Sequence, residues 1–341
     1  HAVREGLMSA LHRAGSDASA GLLILCEGRT FIAGADISEF GKTPREPHLP
    51  DVIATIENFP KPVVVALHGN ALGGGLEVAM AAHYRCALPG TRLGLPEVKL
   101  GLLPGAGGTQ RLPRLIGVEA ALDMMTGGAP IPAEKGREIG LLDHLVEGGL
   151  EAGAIAWCEQ LITSGAGPRP TGARQAEPPA DDGFFEQYGQ RIARKSRGQI
   201  APGFIIELVE LATRTDIDAG QAVERERFIE CRNSPQSSAL RHVFFAERAT
   251  GKLPDIPADT PTLPVDRVGI IGAGTMGGGI AMCFANAGIP VTLVETSQEF
   301  LDRGMGVIQK NYATSVKRGR FSQEQVDGYL AQFTGTTDYA E

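Results

Sequence analysis

The sequence predicts an α/β protein built in two parts, and three observations carry that reading. Short apolar runs of strand length alternate with helical patterns as far as Val146, the signature of strands crossing over through helices. From Phe184 to Thr250 there is no strand signal, only four successive helical stretches. The proline-rich stretch Leu253 to Pro264 then precedes a fresh strand–glycine turn–helix pattern, as expected of a linker between domains. At 341 residues the chain is long enough for two cores.

Composition narrows the function classes. A net charge of −8 argues against nucleic acid as partner, which favours a basic face, yet leaves room for a local basic pocket for a phosphorylated ligand. Cys26, Cys86, Cys158, Cys231 and Cys283 are scattered with no CxxC spacing, so free thiols in a reducing compartment are expected, with no metal site. No apolar run reaches the roughly 18 residues of a membrane span, and no signal peptide is visible. The chain opens with His1 already inside a helical pattern (Val3, Leu7, Leu11), so residues preceding it are expected in the intact protein.

In order, residues 3–14 read as a helix, Leu22 to Cys26 as a buried strand, and Phe31 to Ile37 as a short strand breaking into a small-residue turn. A polar loop from Gly41 to Pro50 leads to a helix from Asp51 to Asn58, stopped by Pro60 and Pro62. Val63 to Leu67 is a β-branched strand, Gly73-Gly74-Gly75 a tight turn, and Leu76 to His83 a short apolar helix. Thr109 to Ile116, Val118 to Thr126 and Ala133 to Ile139 read as helices closed by glycines, with a strand from Leu141 to Val146. Ser164 to Asp182 is loop-like. The later helices are Phe184–Arg197, Gly203–Thr213, Ala219–Glu230 and Ala239–Ala249. After the linker come a buried strand at Arg267 to Ile271, a helix at Gly278 to Ala287, a strand at Val291 to Val294, helices at Gln298–Arg318 and Ser322–Phe333, and a third strand at Gly335 to Asp338.

The stretch from Pro62 to Arg111 holds the first candidate chemistry. Glu77 lies in a segment otherwise made of Leu76, Val78, Ala79, Met80, Ala81 and Ala82. An acid there is either a helix-dipole partner or a buried carboxylate with a task. Glu97 follows Leu95-Pro96 and reads as a loop acid or as the second member of a carboxylate pair. The small-residue turns Ala33-Gly34-Ala35 and Gly73-Gly74-Gly75 leave backbone N–H groups open, as an oxyanion hole requires. Asp36 is equally an ordinary turn residue.

Gly272-Ala273-Gly274-Thr275-Met276-Gly277 holds the second. It follows a strand and opens a helix, and Glu295 stands at a strand end 18 residues after Gly277. That context is the dinucleotide fingerprint. Gly272 serves the turn, Gly274 the approach of a pyrophosphate, and Gly277 close packing. Thr275 and Met276 sit at the helix N-terminus that faces phosphate, and Glu295 accepts from ribose hydroxyls, favouring NAD over NADP.

Phe31 to Ile37, His68 to Ala82 and Gly94 to Gly117 resemble the signature regions of the enoyl-CoA hydratase (crotonase) family. Joined to a dinucleotide fingerprint, they resemble the bifunctional enoyl-CoA hydratase/3-hydroxyacyl-CoA dehydrogenases of fatty acid β-oxidation. Glu226 to Arg248 is similar to the helical region joining the two units there. The resemblance implies a crotonase-like ββα spiral over residues 1–183, a helical connecting region over 184–252, a linker over 253–265 and the beginning of a Rossmann-type NAD-binding domain over 266–341, short of the family's length at both ends. It implies Glu77 and Glu97 as catalytic residues sharing one water, and the amides of Ala35 and Gly74 as the oxyanion hole. Ala33, Asp36 and Ile37 are the implied contacts to CoA. Acyl-CoA is the implied substrate, NAD the cofactor and a thiolase subunit a partner. The implied compartment is the cytoplasm of a bacterium, or alternatively the peroxisome. Competing readings are a Δ3,Δ2-enoyl-CoA isomerase, a crotonase-type thioesterase, and a non-catalytic CoA-binding scaffold.

No histidine follows the linker, and roughly six strands make a complete dinucleotide domain, whereas two or three are visible here. Titration of this chain with NAD in a calorimeter is therefore expected to give little or no heat; a clear binding heat would overturn that expectation.

Overall fold

The computed structural model describes residues 1–39, 43, 45–251, 253–257 and 259–340; parts of the Gly41–Pro50 and linker expectations lie outside them. The chain divides into two compact units, His1–Lys252 and Leu253–Glu341.

The first unit contains α1 (Ala2–Ser16), β1 (Leu22–Ile24), α2 (Leu49–Glu57), β2 (Val63–Leu67), β3 (Asn70–Leu72), α3 (Gly74–Ala81), β4 (Tyr84–Ala87), β5 (Arg92–Gly94), α4 (Gly108–Ile116), α5 (Val118–Gly127), β6 (Ile131–Pro132), α6 (Ala133–Glu138), β7 (His144–Leu145) and α7 (Leu150–Thr163). Four more helices complete it: α8 (Phe184–Ser196), α9 (Ala201–Ala212), α10 (Ile217–Asn233) and α11 (Pro235–Thr250). One sheet runs β1-β2-β4-β7, all parallel; a smaller one runs β3-β5-β6, its last pair antiparallel.

β2 shows why the larger sheet reads as a continuous apolar run. Val63, Val65 and Leu67 face the main core, while Val64 and Ala66 face Ala154 and Cys158 of α7. Both faces are covered, so alternation disappears. Tyr188, Ala201, Ile205, Leu208, Val209 and Cys231 belong to the same main core as Leu76 and Leu112, so the late helices fold onto the earlier α/β part.

Three sequence expectations change here. Phe31 to Ile37 is no strand: Phe31 N–H bonds to His68 O and Leu72 N–H to Ile32 O, and Gly34 at φ +131° then breaks the ladder. β1 is half-buried, because it is an edge strand paired only with β2. The helix α7 was not anticipated; its signal is the four-residue spacing of Leu150, Ala154 and Cys158.

The second unit contains β8 (Val268–Ile271), α12 (Thr275–Asn286), β9 (Val291–Val294), α13 (Gln298–Lys317), α14 (Gln323–Leu330) and β10 (Phe333–Thr336). Its parallel sheet runs β10-β9-β8, so the first strand lies at one edge and each later strand adds on the same side, as in the first half of a doubly wound sheet. β8 is only half-buried, with Ile271 exposed, for the same edge reason as β1. Phe333 starts the third strand rather than ending the preceding helix.

A buried ion pair ties the first unit together. Arg111 of α4, 1% exposed, donates from Nη2 to Glu57 Oε2 at 2.5 Å, and Gly172 N–H adds a bond to Glu57 Oε1 at 2.8 Å. Removing one member leaves the other charge buried and uncompensated. Glu57→Ala is expected to destabilise the first unit by about 3–5 kcal/mol, read as a lowered urea midpoint; an unchanged midpoint would contradict it.

Candidate active site

The triple glycine turn has a separate steric reason at each position. Gly73 has φ +54°, and a Cβ there would lie 2.8 Å from Glu97 Oε1. A Cβ on Gly75 would lie 2.1 Å from Ile32 O, so the Phe31–Ala35 segment closes directly onto backbone. On Gly74 it would meet the Leu49 side chain at 2.9 Å and stand 3.9 Å from Ala35 N. Gly74 and Ala35 thus lie side by side, and Gly74 is the first residue of α3, where helix amides lack intrahelical acceptors. Among the described residues neither amide has an acceptor. Ala33 to Asp36 are exposed and Ile37 is half-buried, opening a short 3-10 turn.

Glu77 projects from the first turn of α3 and is 3% exposed. Its Oε1 accepts the Ala106 amide at 2.8 Å and the Gly108 amide at 2.9 Å. Gly108 allows this approach, since a Cβ there would sit 2.8 Å from that oxygen. Burial raises the Glu77 pKa, opposed by the two amides and by the nearby Arg111 charge. Glu97 opens a 3-10 turn after Pro96. Its Oε2 is buried with no hydrogen-bond partner. Burial, with the charge of Glu77 next, pushes its pKa well above the ordinary 4.5. The structure therefore brings the two predicted acids and the two predicted amides to one place, through the shared neighbours Gly73 and Gly74.

A third carboxylate joins them. Glu224 of α10, 1% exposed, accepts the Gly107 amide at 2.6 Å and the Thr109 amide at 3.0 Å. Burial and the charge of Glu77 push its pKa up to about 8, against the bonds from Thr109 and Gly107. Sequence reading missed it. The available signal was the recurrence of Gly220, Glu224 and Phe228 every fourth residue, one acid on an otherwise uncharged stripe.

In the second unit, Gly272 has φ +91°, and a Cβ on Gly277 would lie 1.8 Å from Gly272 O. Space around Gly274 is open, and Thr275 and Met276 at the start of α12 are exposed. Glu295 accepts the Ala273 amide at 2.7 Å, fixing the acid beside the turn. Among the described residues no cluster of His, Cys, Asp and Glu could hold a metal ion, and no helix is long and apolar enough to cross a membrane.

Residues 1–168 match the enoyl-CoA hydratase/isomerase family, and residues 267–341 match the NAD binding domain of 3-hydroxyacyl-CoA dehydrogenase. Over 322 residues the chain is 37% identical to a peroxisomal bifunctional enzyme of Cavia porcellus, covering 90% of this chain and 43% of that protein; the chain spans less than half the length of this relative. An enoyl-CoA hydratase from Rhodobacter sphaeroides 2.4.1 shares the fold, with a TM-score of 0.54 at 20% identity over 74% of this chain and 84% of that one. One from Bacillus anthracis is 27% identical over 72% of this chain and 86% of that one, with a TM-score of 0.41. The first unit is crotonase-like and the second is the start of a Rossmann-type fold. The chain thus carries, in order, a segment similar to the enoyl-CoA hydratase/isomerase family at residues 1–168 and one similar to the NAD binding domain of 3-hydroxyacyl-CoA dehydrogenase at residues 267–341, and it aligns across both with a peroxisomal bifunctional enzyme.

Proposed function

We propose that the first unit hydrates trans-2-enoyl-CoA thioesters to 3-hydroxyacyl-CoA, with Glu77 and Glu97 acting on one water. The observation that carries this reading is the unequal surroundings of the two carboxyls. Glu77 Oε1 takes two amides, which favour its anion. Glu97 has a buried oxygen without a donor, which favours its neutral acid. One proton shared by the pair therefore resides on Glu97. Ionised Glu77 takes a proton from the water as its oxygen bonds to the β-carbon. Glu97 gives its proton to the α-carbon, so both elements of water are added, and proton return from Glu77 to Glu97 restores the start. The Ala35 and Gly74 amides hold the negative charge that builds on the thioester oxygen, helped by the N-terminus of α3. Ala33 and Asp36, exposed in the segment that carries Ala35, and the half-buried Ile37 are the residues the CoA end of the substrate would pass.

In the second unit the residues fit a dinucleotide. Gly274 leaves room at the N-terminus of α12 for a pyrophosphate. Gly272, Thr275, Met276 and Gly277 shape that turn, and Glu295 has lone pairs left for ribose hydroxyls beside the Ala273 amide. Bound NAD supplies a hydride acceptor for the 3-hydroxyacyl product. A thiolase subunit is the partner that would take the oxidised thioester. The peroxisomal name of the Cavia porcellus relative supports the peroxisome as compartment.

Two outcomes test the hydratase reading. Glu77→Gln and Glu97→Gln are each expected to slow hydration of crotonyl-CoA by about 10²–10⁴-fold, followed by loss of enoyl-thioester absorbance. Faster isomerisation of a 3-enoyl-CoA than hydration would favour an isomerase instead, and full activity in Glu77→Gln would leave only a binding role. The protonation assignment has its own test. A carboxyl whose pKa is raised on folding stabilises the fold below its unfolded value and loses that contribution as pH rises through the folded one. Glu97→Gln and wild type should therefore match in urea unfolding at pH 4.5, the ordinary value for this group, and the variant should become the more stable as pH rises. A constant difference between them would refute the assignment.

A further inference from the structure

α10 addresses the Gly105–Gln110 segment along a single stripe. A Cβ on Gly220 would lie 2.1 Å from Gln110 Oε1. Glu224, one turn on, takes the amides of Gly107 and Thr109 and the Thr109 hydroxyl. Phe228, a further turn on, packs where a Cβ on Gly105 would come within 2.2 Å of its ring. Gln110 Nε2 anchors the far end through Leu208 O at 3.0 Å. The consequence lies in the amides. Ala106 and Gly108 point to Glu77, while Gly107 and Thr109, interleaved with them, point to Glu224. The turn is thus gripped from both sides, and neither carboxylate reaches the amides of the other.

We infer that Glu224 is a positioning residue for hydration: by holding the Gly107 and Thr109 amides from behind, it keeps the Ala106 and Gly108 amides aimed at Glu77. This rests on the reading of Glu77 as the base. It makes the helical region from 217 to 233 part of the working site. A carboxyl group suits this place because each of its two oxygens accepts one of the two amides, Oε1 that of Gly107 and Oε2 that of Thr109. Glutamine offers one oxygen to two amides that both require an acceptor, so one amide is left facing an NH₂ group.

The test is a double-mutant cycle on the full chain with crotonyl-CoA. Glu224→Gln is expected to lower kcat by about 10–100-fold with KM within about threefold, because misplacing a catalytic group by about 1 Å costs on the order of 10² in rate. In a Glu77→Gln background, adding Glu224→Gln should lower the residual rate by no more than about twofold, because its effect passes through Glu77. A purely structural role would multiply the two losses and overturn the inference, as would full activity in Glu224→Gln. Should that variant not fold, Glu224→Asp keeps the acceptor-only group one methylene short; it should lose kcat at constant KM, and wild-type kcat would overturn the inference. If Glu77→Gln itself leaves hydration intact, the hydratase reading fails instead.

Discussion

The first unit depends on one short run of backbone, Gly105 to Thr109, whose consecutive amides are divided between two buried carboxylates. A buried carboxyl needs donors to offset the hydration its charged form loses, and against burial the amides favour the ionised form of each. The amides do this without adding countercharge. Glycine is required at three places here for three reasons. Phe228 leaves no room for a Cβ at Gly105, Gly107 has φ +95° and faces Arg111, and a Cβ on Gly108 would crowd the Glu77 carboxylate. A side chain at any of these positions would change what the amides face.

The charge balance of the site follows from this. Arg111 is the nearby cation, but it is committed to Glu57 and to the Ala106 carbonyl. The charge of Glu77 raises the pKa of both Glu97 and Glu224 on top of burial, and Glu224 adds to that of Glu97, while the two amides and the Arg111 charge hold Glu77 itself down against burial. Such unequal surroundings let one carboxyl keep a proton while its neighbour releases one. On the proposed reading, Glu97, whose buried Oε2 has no hydrogen-bond partner, is the one that keeps it. Backbone geometry, on that same reading, sets which acid is base and which is proton donor, more than any difference between the side chains themselves.

Much of this was legible in the sequence where local rules suffice. Val63 to Leu67 could only be a buried strand, the triple glycine could only be a tight turn, and an acid inside the apolar α3 had to be paired or functional. Glu97 was readable only as an acid near a second glycine turn; its role follows from Gly73, which is distant in sequence and admits its carboxyl. Glu224 was invisible for a different reason. It lies over a hundred residues from the turn it grips, on a helix whose hydrophobic pattern is interrupted by charges on its other faces. Four-residue spacing identifies a stripe but says nothing of what the stripe meets. The misread strand at Phe31 to Ile37 shows the converse. Its composition is strand-like, but small residues and a positive φ at Gly34 turn it into the exposed arm that presents Ala35.

The two units use the same device with opposite emphasis. In each, a glycine turn feeds a helix N-terminus, and a carboxylate of the same chain accepts an amide of the turn. In the second unit Glu295 holds Ala273, and on the proposed reading the helix-end amides at Gly274 and Thr275 serve a phosphate-bearing ligand. On the proposed reading of the first unit, the carboxylate at the turn is itself the reacting group, and a second acid holds the turn from behind. A turn gripped by one acid suffices to bind an anion, whose charge organises the amides on arrival. A turn that must orient a base before a neutral water arrives has no such help, and Glu224 provides that constraint from the helical region. This accords with α8, α9 and α10 sharing a core with the α/β part rather than merely following it.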